Sequence, residues 1–318
     1  MKSFWSDLPR PFFVLAPMET VTDVVFRHVV ANAAPPDVYF TEFVNAASFC
    51  SPQGQHSTQG RLAFSPDEQP MVAQIWGTNP ENFAQMGKAL AKMGFAGIDI
   101  NMGCPAKDVV KTGACSALIE NPSLAGELIA AAKESGLPVS VKTRIGFKVQ
   151  KTEEWSSFLL KQDLAALTIH ARTQKEMSKV PARWEEIAKV VQLRNEIAPQ
   201  TPIIGNGDVC DRQHGEELVA QYGVDGVMIG RGIFHNPFAF ETTPRQHTRE
   251  ELLALLDLHL GLHDKESQEM PRRYDPLKRF FKIYVRDFPG ASELRDKLMH
   301  TSSTADARLV LTEHLARH

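Results

Sequence analysis

Short apolar runs alternate along most of the chain with longer stretches in which apolar residues return at helical spacing. The runs predict strands at 13–16, 38–43, 71–76, 97–101, 139–144, 166–170, 202–206 and 226–229. The stretches between them predict helices; the one beginning at Pro80 sets Phe83, Met86, Leu90 and Met93 along one face. Asn79-Pro80, Asn121-Pro122 and Asn236-Pro237 each place a capping Asn before a Pro suited to the first helical position. Residues 48–69, rich in Ser, Gln, Gly and Pro, read instead as a loop crossing the sheet's edge. Repeated β/α units of this kind predict an α/β protein with a closed (β/α)8 TIM barrel. After Phe240 the strand pattern stops and a polar stretch follows. The expected division is a barrel over 1–243 and a small all-helical C-terminal domain over 244–318, with helices near 248–264, 272–287, 291–300 and 304–316.

Composition narrows the class. The chain has 318 residues, of which 43% are hydrophobic and 23% charged, ample for an ordinary globular core. A net charge of -3 argues against a globally basic nucleic-acid coat but leaves room for a local patch. The amino terminus lacks a signal-like apolar run and no segment approaches the roughly 18 apolar residues of a membrane span, so a cytoplasmic protein with no membrane association is expected. Cys50, Cys104, Cys115 and Cys210 show no CxxC spacing, which predicts reduced thiols, no disulfide framework and no metal site.

In a barrel, the residues at the C-terminal ends of the strands converge on one mouth. Here they are unusually polar: Pro17, Met18 and Glu19; Glu42; Gln74; Asn101 and Cys104; Lys142 and Arg144; His170 and Arg172; Asn206, Gly207 and Asp208; Gly230 and Arg231. The stretch Gly97-Ile98-Asp99-Ile100-Asn101-Met102-Gly103-Cys104-Pro105 begins as a strand and is stopped by Gly103 and Pro105. A lone cysteine is usually core, but one set between Gly and Pro beside a polar Asn is poorly placed for packing and points to catalysis. The turns Asn206-Gly207-Asp208 and Gly230-Arg231-Gly232 follow the last two strands, where barrels commonly hold a phosphate on backbone N–H groups. Lys142, mid-sheet, needs an anionic partner, and a reduced flavin ring is one.

With these residues the chain resembles the tRNA-dihydrouridine synthases. The likeness is carried in order by Leu15-Ala16-Pro17-Met18-Glu19, Thr41-Glu42-Phe43, Asn101-Met102-Gly103-Cys104-Pro105-Ala106-Lys107, Val141-Lys142-Thr143-Arg144-Ile145-Gly146, Ile169-His170-Ala171-Arg172-Thr173, Asn206-Gly207-Asp208 and Met228-Ile229-Gly230-Arg231-Gly232. The resemblance implies an FMN-bound barrel that reduces selected tRNA uridines to 5,6-dihydrouridine, with NADPH or NADH as reductant. It implies FMN contacts at Pro17, Met18, Glu19, Gln74, Lys142, His170, Asn206, Gly207, Asp208, Gly230 and Arg231, uracil-facing residues at Asn101 and Arg172, and Cys104 as proton donor. Reduction of the uracil C5–C6 bond needs a hydride at C6 and a proton at C5; the first falls to the flavin and the second to Cys104. Departures from the family pattern lie at Thr20 and Cys115, where small residues are usual, and at Glu176-Met177-Ser178-Lys179. Two other readings stay open. One is an FMN barrel reducing a small molecule such as a free pyrimidine or an enone; the other is a non-catalytic RNA-binding protein on a decayed barrel.

The C-terminal segment supplies the expected tRNA contact. Leu277, Phe280, Phe281, Tyr284, Val285 and Phe288 recur at helical spacing, and Lys278, Arg279, Lys282 and Arg286 fall on the opposite face with no acidic residue between them on that face. Arg272 and Arg273 precede them. Phosphate binding by a monomer explains such segregation, the competing reading being a solvated basic stripe.

Overall fold

A computed structural model describes residues 3–317. Its parallel strands are β1 (Phe12–Leu15), β2 (Tyr39–Phe40), β3 (Val44–Asn45), β4 (Met71–Trp76), β5 (Gly97–Met102), β6 (Val139–Arg144), β7 (Ala166–His170), β8 (Ile203–Asn206) and β9 (Gly226–Ile229). They pair in the order β1-β9-β8-β7-β6-β5-β4-β2, and a bridge between Val14 and Val38 brings the two ends together into a near-closed barrel. The predicted strand at 38–43 is split in two, since β2 and β3 pair separately with β4. Between them the Thr41 hydroxyl accepts the Gln74 N–H at 3.1 Å and donates to the Glu42 carbonyl at 2.7 Å, a side-chain detour in place of a ladder.

Side chains alternate across each strand, so register decides which face the barrel axis. Asn101 pairs with Lys142, Arg144 with His170, and His170 with Asn206, which sets these groups inward at the upper end. The lower interior is apolar: Phe12, Val14, Val38, Phe40, Val72, Ala166, Ile204 and Met228 form a cluster separate from the outer core. The short helix Phe4–Asp7 closes that end with Trp5, which is 1% exposed and has its ring centroid 5.8 Å from that of Phe12. A Cβ at Gly226 would lie 2.5 Å from the Phe12 ring, so glycine is what lets this plug seat.

Three expectations are corrected here. Residues 48–69 are largely helical, with helices Ala46–Cys50 and Pro52–Leu62 capped by Asn45 and Ser51. Pro52–Leu62 is mostly polar, so its Ser51 cap rather than an apolar stripe specifies it, and Ala46–Cys50 is too short to show a period. Asn236-Pro237 starts no helix; the Asn236 side chain accepts the Phe238 N–H at 3.0 Å, and Phe238, Ala239 and Phe240 are buried in succession, a pattern no one-faced helix can satisfy. The segment 272–287 is not one helix but a 3-10 turn, Asp275–Phe280, followed by the short helix Phe281–Tyr284.

Helix Arg249–Glu269 opens with a Thr248/Glu251 capping box, and residues 242–248 leading to it form neither helix nor strand. Helices Ala291–Met299 and Thr304–Arg317 complete the chain. These helices dock on helix Val24–Ala33 through an aromatic seam: Phe26 lies 4.8 Å from Phe280 and 5.9 Å from His259, centroid to centroid. His259 shares a 2.8 Å hydrogen bond with the Tyr284 hydroxyl, and burial pushes its imidazole down to about 3, keeping it neutral in the seam. No helix among the described residues is long and apolar enough to cross a membrane, and no cluster of three or more metal-ligating side chains is found among them.

Candidate active site

A cavity of about 630 Å³ opens at the C-terminal ends of the strands. It gathers Pro17, Met18, Gln74, Asn101, Cys104, Lys142, His170, Arg172, Asn206, Gly207, Asp208, Gly230 and Arg231 from residues far apart in sequence. Glu19 is not on its wall; its carboxylate is half exposed and pairs with Arg61 at 2.9 Å. The wall also includes Met177, Ser178, Cys210, His235 and Arg144. Of these, Arg144 stands two positions beyond Lys142 on the same face of the strand, and Met177 and Ser178 belong to the stretch that departs from the family pattern; Cys210 and His235 carried no signal.

The floor is a directed chain of hydrogen bonds. Asp99, fully buried, accepts from the Ser140 hydroxyl and from Gln74 Nε2, each at 2.7 Å. Gln74 Oε1 accepts from Asn101 Nδ2 at 2.9 Å, and Asn101 Oδ1 accepts the N–H groups of Gly103 at 3.0 Å and Cys104 at 2.9 Å. Burial raises the Asp99 carboxyl to about 6, with the two donors pulling the other way. Sequence reading gave Asp99 no role, although a carboxylate between Ile98 and Ile100 at an inward position was a visible signal.

The wall beside it is cationic. Lys142 Nζ stands 3.1 Å from Asn206 Oδ1, and no carboxylate pairs with it among the described residues. Burial first, then Arg144, lower its ammonium to about 8. Arg144, itself lowered to about 10 by burial, donates to the Gly103 carbonyl at 2.6 Å and to those of Thr173 and Met177 at 3.2 and 3.0 Å, tying the loop after β5 to the loop after β7. Arg172 donates to the Val180 carbonyl at 2.6 Å, pairs with Asp208 and lies with Nη1 3.2 Å from His170 Nε2. Since guanidinium can only donate, His170 Nε2 accepts and the proton sits on Nδ1. Burial and the surrounding cations hold this imidazole well below its usual range, so it is neutral. Arg231 also reaches Asp208, at 3.1 Å.

Cys104 is half-buried and touches the fully buried Cys115. That thiol contact lowers Cys104 to about 6 against the effect of burial, helped by the Ala106 N–H and Arg144, while Cys115 is pushed well above its ordinary value. Ser116 anchors the pair by donating its hydroxyl to the Cys104 carbonyl at 2.8 Å. Thr20, Cys115 and Met177, at the places where the sequence departs from the resembled pattern, all have left-handed φ angles, of 59°, 53° and 54°. A conformation that favours glycine accounts for the expectation of a small residue at Thr20 and Cys115. Gly207 has φ 128°, and a Cβ there would sit 2.8 Å from Ala182 and 3.3 Å from the His170 ring.

The four C-terminal cations lie off the cavity wall, and their arrangement differs from the expected acid-free face. Lys278 pairs with Asp275 at 3.1 Å and Arg286 with Asp287 at 3.2 Å. Because the helix ends at Tyr284, helical spacing no longer sets the direction of Arg286. Lys282 is exposed, and Arg279 donates to the Thr20 hydroxyl at 2.7 Å, reaching the rim of the mouth.

A family model described as Dihydrouridine synthase (Dus) matches residues 14–318. The chain belongs to the dihydrouridine synthase family. A Staphylococcus aureus (strain COL) protein described as "Probable tRNA-dihydrouridine synthase" is 59% identical over 317 residues, covering 99% of this chain and 97% of that one. A Bacillus subtilis (strain 168) protein described as "Probable tRNA-dihydrouridine synthase 2" is 59% identical over 313 residues, covering 98% and 96%. Among solved structures, histamine dehydrogenase from Rhizobium sp. 4-9 aligns with a TM-score of 0.52 at 12% identity, over 77% of this chain and 46% of that one. The 6-hydroxypseudooxynicotine amine oxidase of Pseudomonas geniculata N1 aligns with a TM-score of 0.52 at 10% identity, over 75% and 49%. The dihydrouridine synthase chain thus spans about half the length of these two proteins, and at such identities the likeness concerns the barrel fold alone.

Proposed function

We propose that this protein reduces uridines in tRNA to 5,6-dihydrouridine, using FMN reduced by NADPH or NADH. The observation that carries the reading is the meeting, in one cavity, of Cys104 with a lysine that forms no ion pair with a carboxylate among the described residues. Such a lysine fits the anionic edge of a flavin ring, and an anion there raises its lowered pKa again. Four cations, Lys142, Arg144, Arg172 and Arg231, line the cavity against the single carboxylate of Asp208, a balance that suits an anionic cofactor. Arg231 and the backbone N–H groups of Gly207, Asp208 and Gly230 are assigned to its phosphate, and Pro17, Met18, Gln74, His170 and Asn206 to its ring and ribityl chain. When bound, the flavin supplies the hydride for uracil C6.

Cys104 delivers the proton to C5. With its thiol near 6, roughly a tenth of the free enzyme holds that proton at pH 7, so the donor is scarce but strong. The contact with Cys115 stabilises the thiolate left behind. Asn101 orients the Cys104 loop through its two backbone N–H groups and offers its remaining amide hydrogen to the base. Arg172 is assigned to the pyrimidine side of the cavity, acting through His170 and Asp208, which it already holds. A uridine reaches this depth only after leaving its stack. Arg279 and Lys282 are assigned to phosphates outside the mouth, with Lys278 and Arg286 as weaker contributors because acids already face them.

The test is turnover of FMN-loaded protein with NADPH and unmodified tRNA, read as dihydrouridine by mass spectrometry. Dihydrouridine at defined positions is the expected result. Reduction of free pyrimidines or enones with none in tRNA would replace this reading with the small-molecule one, which the neutralised Lys278 and Arg286 favour.

A further inference from the structure

Asp99 is a fully buried carboxylate with no ion-pair partner among the described residues, above an apolar barrel interior that includes Val14, Ile204 and Met228. Burying such a group is expensive unless its oxygens are used. Both are, and the second is used in a way that reaches Cys104. We propose that Asp99 is a positioning residue for Cys104: as the acceptor at the foot of the chain, it holds Gln74 in place beneath Asn101 and so steadies the Cys104 loop that Asn101 carries. The proposal rests on the reading of Cys104 as proton donor.

The argument is one of polarity. An ionised carboxylate can only accept, so the group facing Asp99 Oδ2 must be the Gln74 amide nitrogen. That turns Gln74 Oε1 toward Asn101, whose Nδ2 must then donate, leaving Asn101 Oδ1 for the N–H groups of Gly103 and Cys104. If Gln74 flipped, oxygen would face oxygen at Asp99 and nitrogen would face nitrogen at Asn101. With an apolar residue at position 99 the chain is held from one end only, by the N–H groups of Gly103 and Cys104 on Asn101 Oδ1, and Gln74 loses the acceptor beneath it. Asp99→Asn keeps an oxygen toward Gln74 while its own amide donates to Ser140, so the direction survives. Direction, rather than charge, is what the site uses.

The experiment follows two half-reactions of FMN-loaded enzyme by flavin absorbance: reduction by NADPH, and reoxidation of pre-reduced enzyme by tRNA. In Asp99→Leu, reoxidation by tRNA is expected to slow about tenfold and reduction by NADPH by less, with FMN kept saturating because Gln74 and Lys142, both assigned to the flavin, also feel the loss of Asp99. Asp99→Asn is expected within about twofold of parent in both half-reactions. Combined with Cys104→Ala, Asp99→Leu is expected to add nothing to the loss from Cys104→Ala alone, as befits residues that act through one another. Additive losses, equal slowing of both half-reactions, or an Asp99→Asn variant as slow as Asp99→Leu would overturn the proposal. Should Asp99→Leu fail to fold, Asp99→Ser, too short to reach Gln74, is expected to show the same deficit, and parent-like reoxidation in it counts against the idea. Failure of the donor reading is seen separately, as parent-like reoxidation in Cys104→Ala with Asp99 intact.

Discussion

The cavity floor and the cationic segment at 275–286 were both reached by periodicity, yet only the first lies as spacing foretold. On the floor each strand is held by two neighbours, so Asn101, Lys142, His170 and Asn206 share a face because their registers are locked across the sheet. In the C-terminal segment the period depended on one unbroken helix. Pro276 lies in a 3-10 turn and the helix that follows ends at Tyr284, so Lys278 and Arg286 turn to Asp275 and Asp287. Periodicity places side chains securely where long-range pairing enforces it, and loosely where a few local residues must sustain it alone.

The difference can be pressed experimentally, beginning where it should be greatest. Cys104→Ala removes a positioned acid from the floor, and dihydrouridine formation should fall by roughly 10²-fold while NADPH still bleaches the flavin. Equal rates in variant and parent would move proton delivery elsewhere. Lys142→Ala should weaken FMN binding by about tenfold or more, measured by equilibrium dialysis, because the ring edge loses its only buried ammonium; unchanged retention would take Lys142 out of the flavin site.

A pH profile tests the floor more finely. Only protonated Cys104 can donate, so the rate of tRNA-driven reoxidation should be lost as pH rises through about 6. In Cys115→Ala the largest cause of that low value is gone, and the alkaline limb should move upward. A limb that stays in place would show that the two thiols do not share the proton. The smallest effects belong to the C-terminal segment. Lys282→Glu should weaken tRNA binding a few-fold and flatten its salt dependence, and Lys278→Glu should do less because Asp275 already faces that ammonium. Affinities unchanged at two salt concentrations would mark the segment as solvated surface.

The barrel was legible because strand runs and turn glycines are local signals with a fixed period. Helix Pro52–Leu62 does not show in the pattern because its polar faces hide a start set by Ser51, and Ala46–Cys50 because so short a helix completes barely one turn. Within the site, Cys104, Lys142 and the two glycine turns announced themselves by chemistry that a core would reject. Asp99 was passed over because its partners Gln74 and Ser140 lie on neighbouring strands, visible only once the register is known. Glu19 looked like its neighbours Pro17 and Met18 in sequence, but it leaves the wall for Arg61.

Thr20, Cys115 and Met177 carry one more implication. Each holds a backbone shape that glycine adopts freely, at a strain of about 1 kcal/mol for an ordinary residue. At Thr20 and Met177 the chain path around the mouth is therefore compatible with either a bare backbone or a side chain, whereas Cys115 is fully buried against Cys104. Selection can fit or remove a group at either of the first two positions, one at a time, without moving a strand. The entrance is a set of interchangeable fittings on a fixed frame, where preference among uridines can drift while the chemistry beneath stays the same.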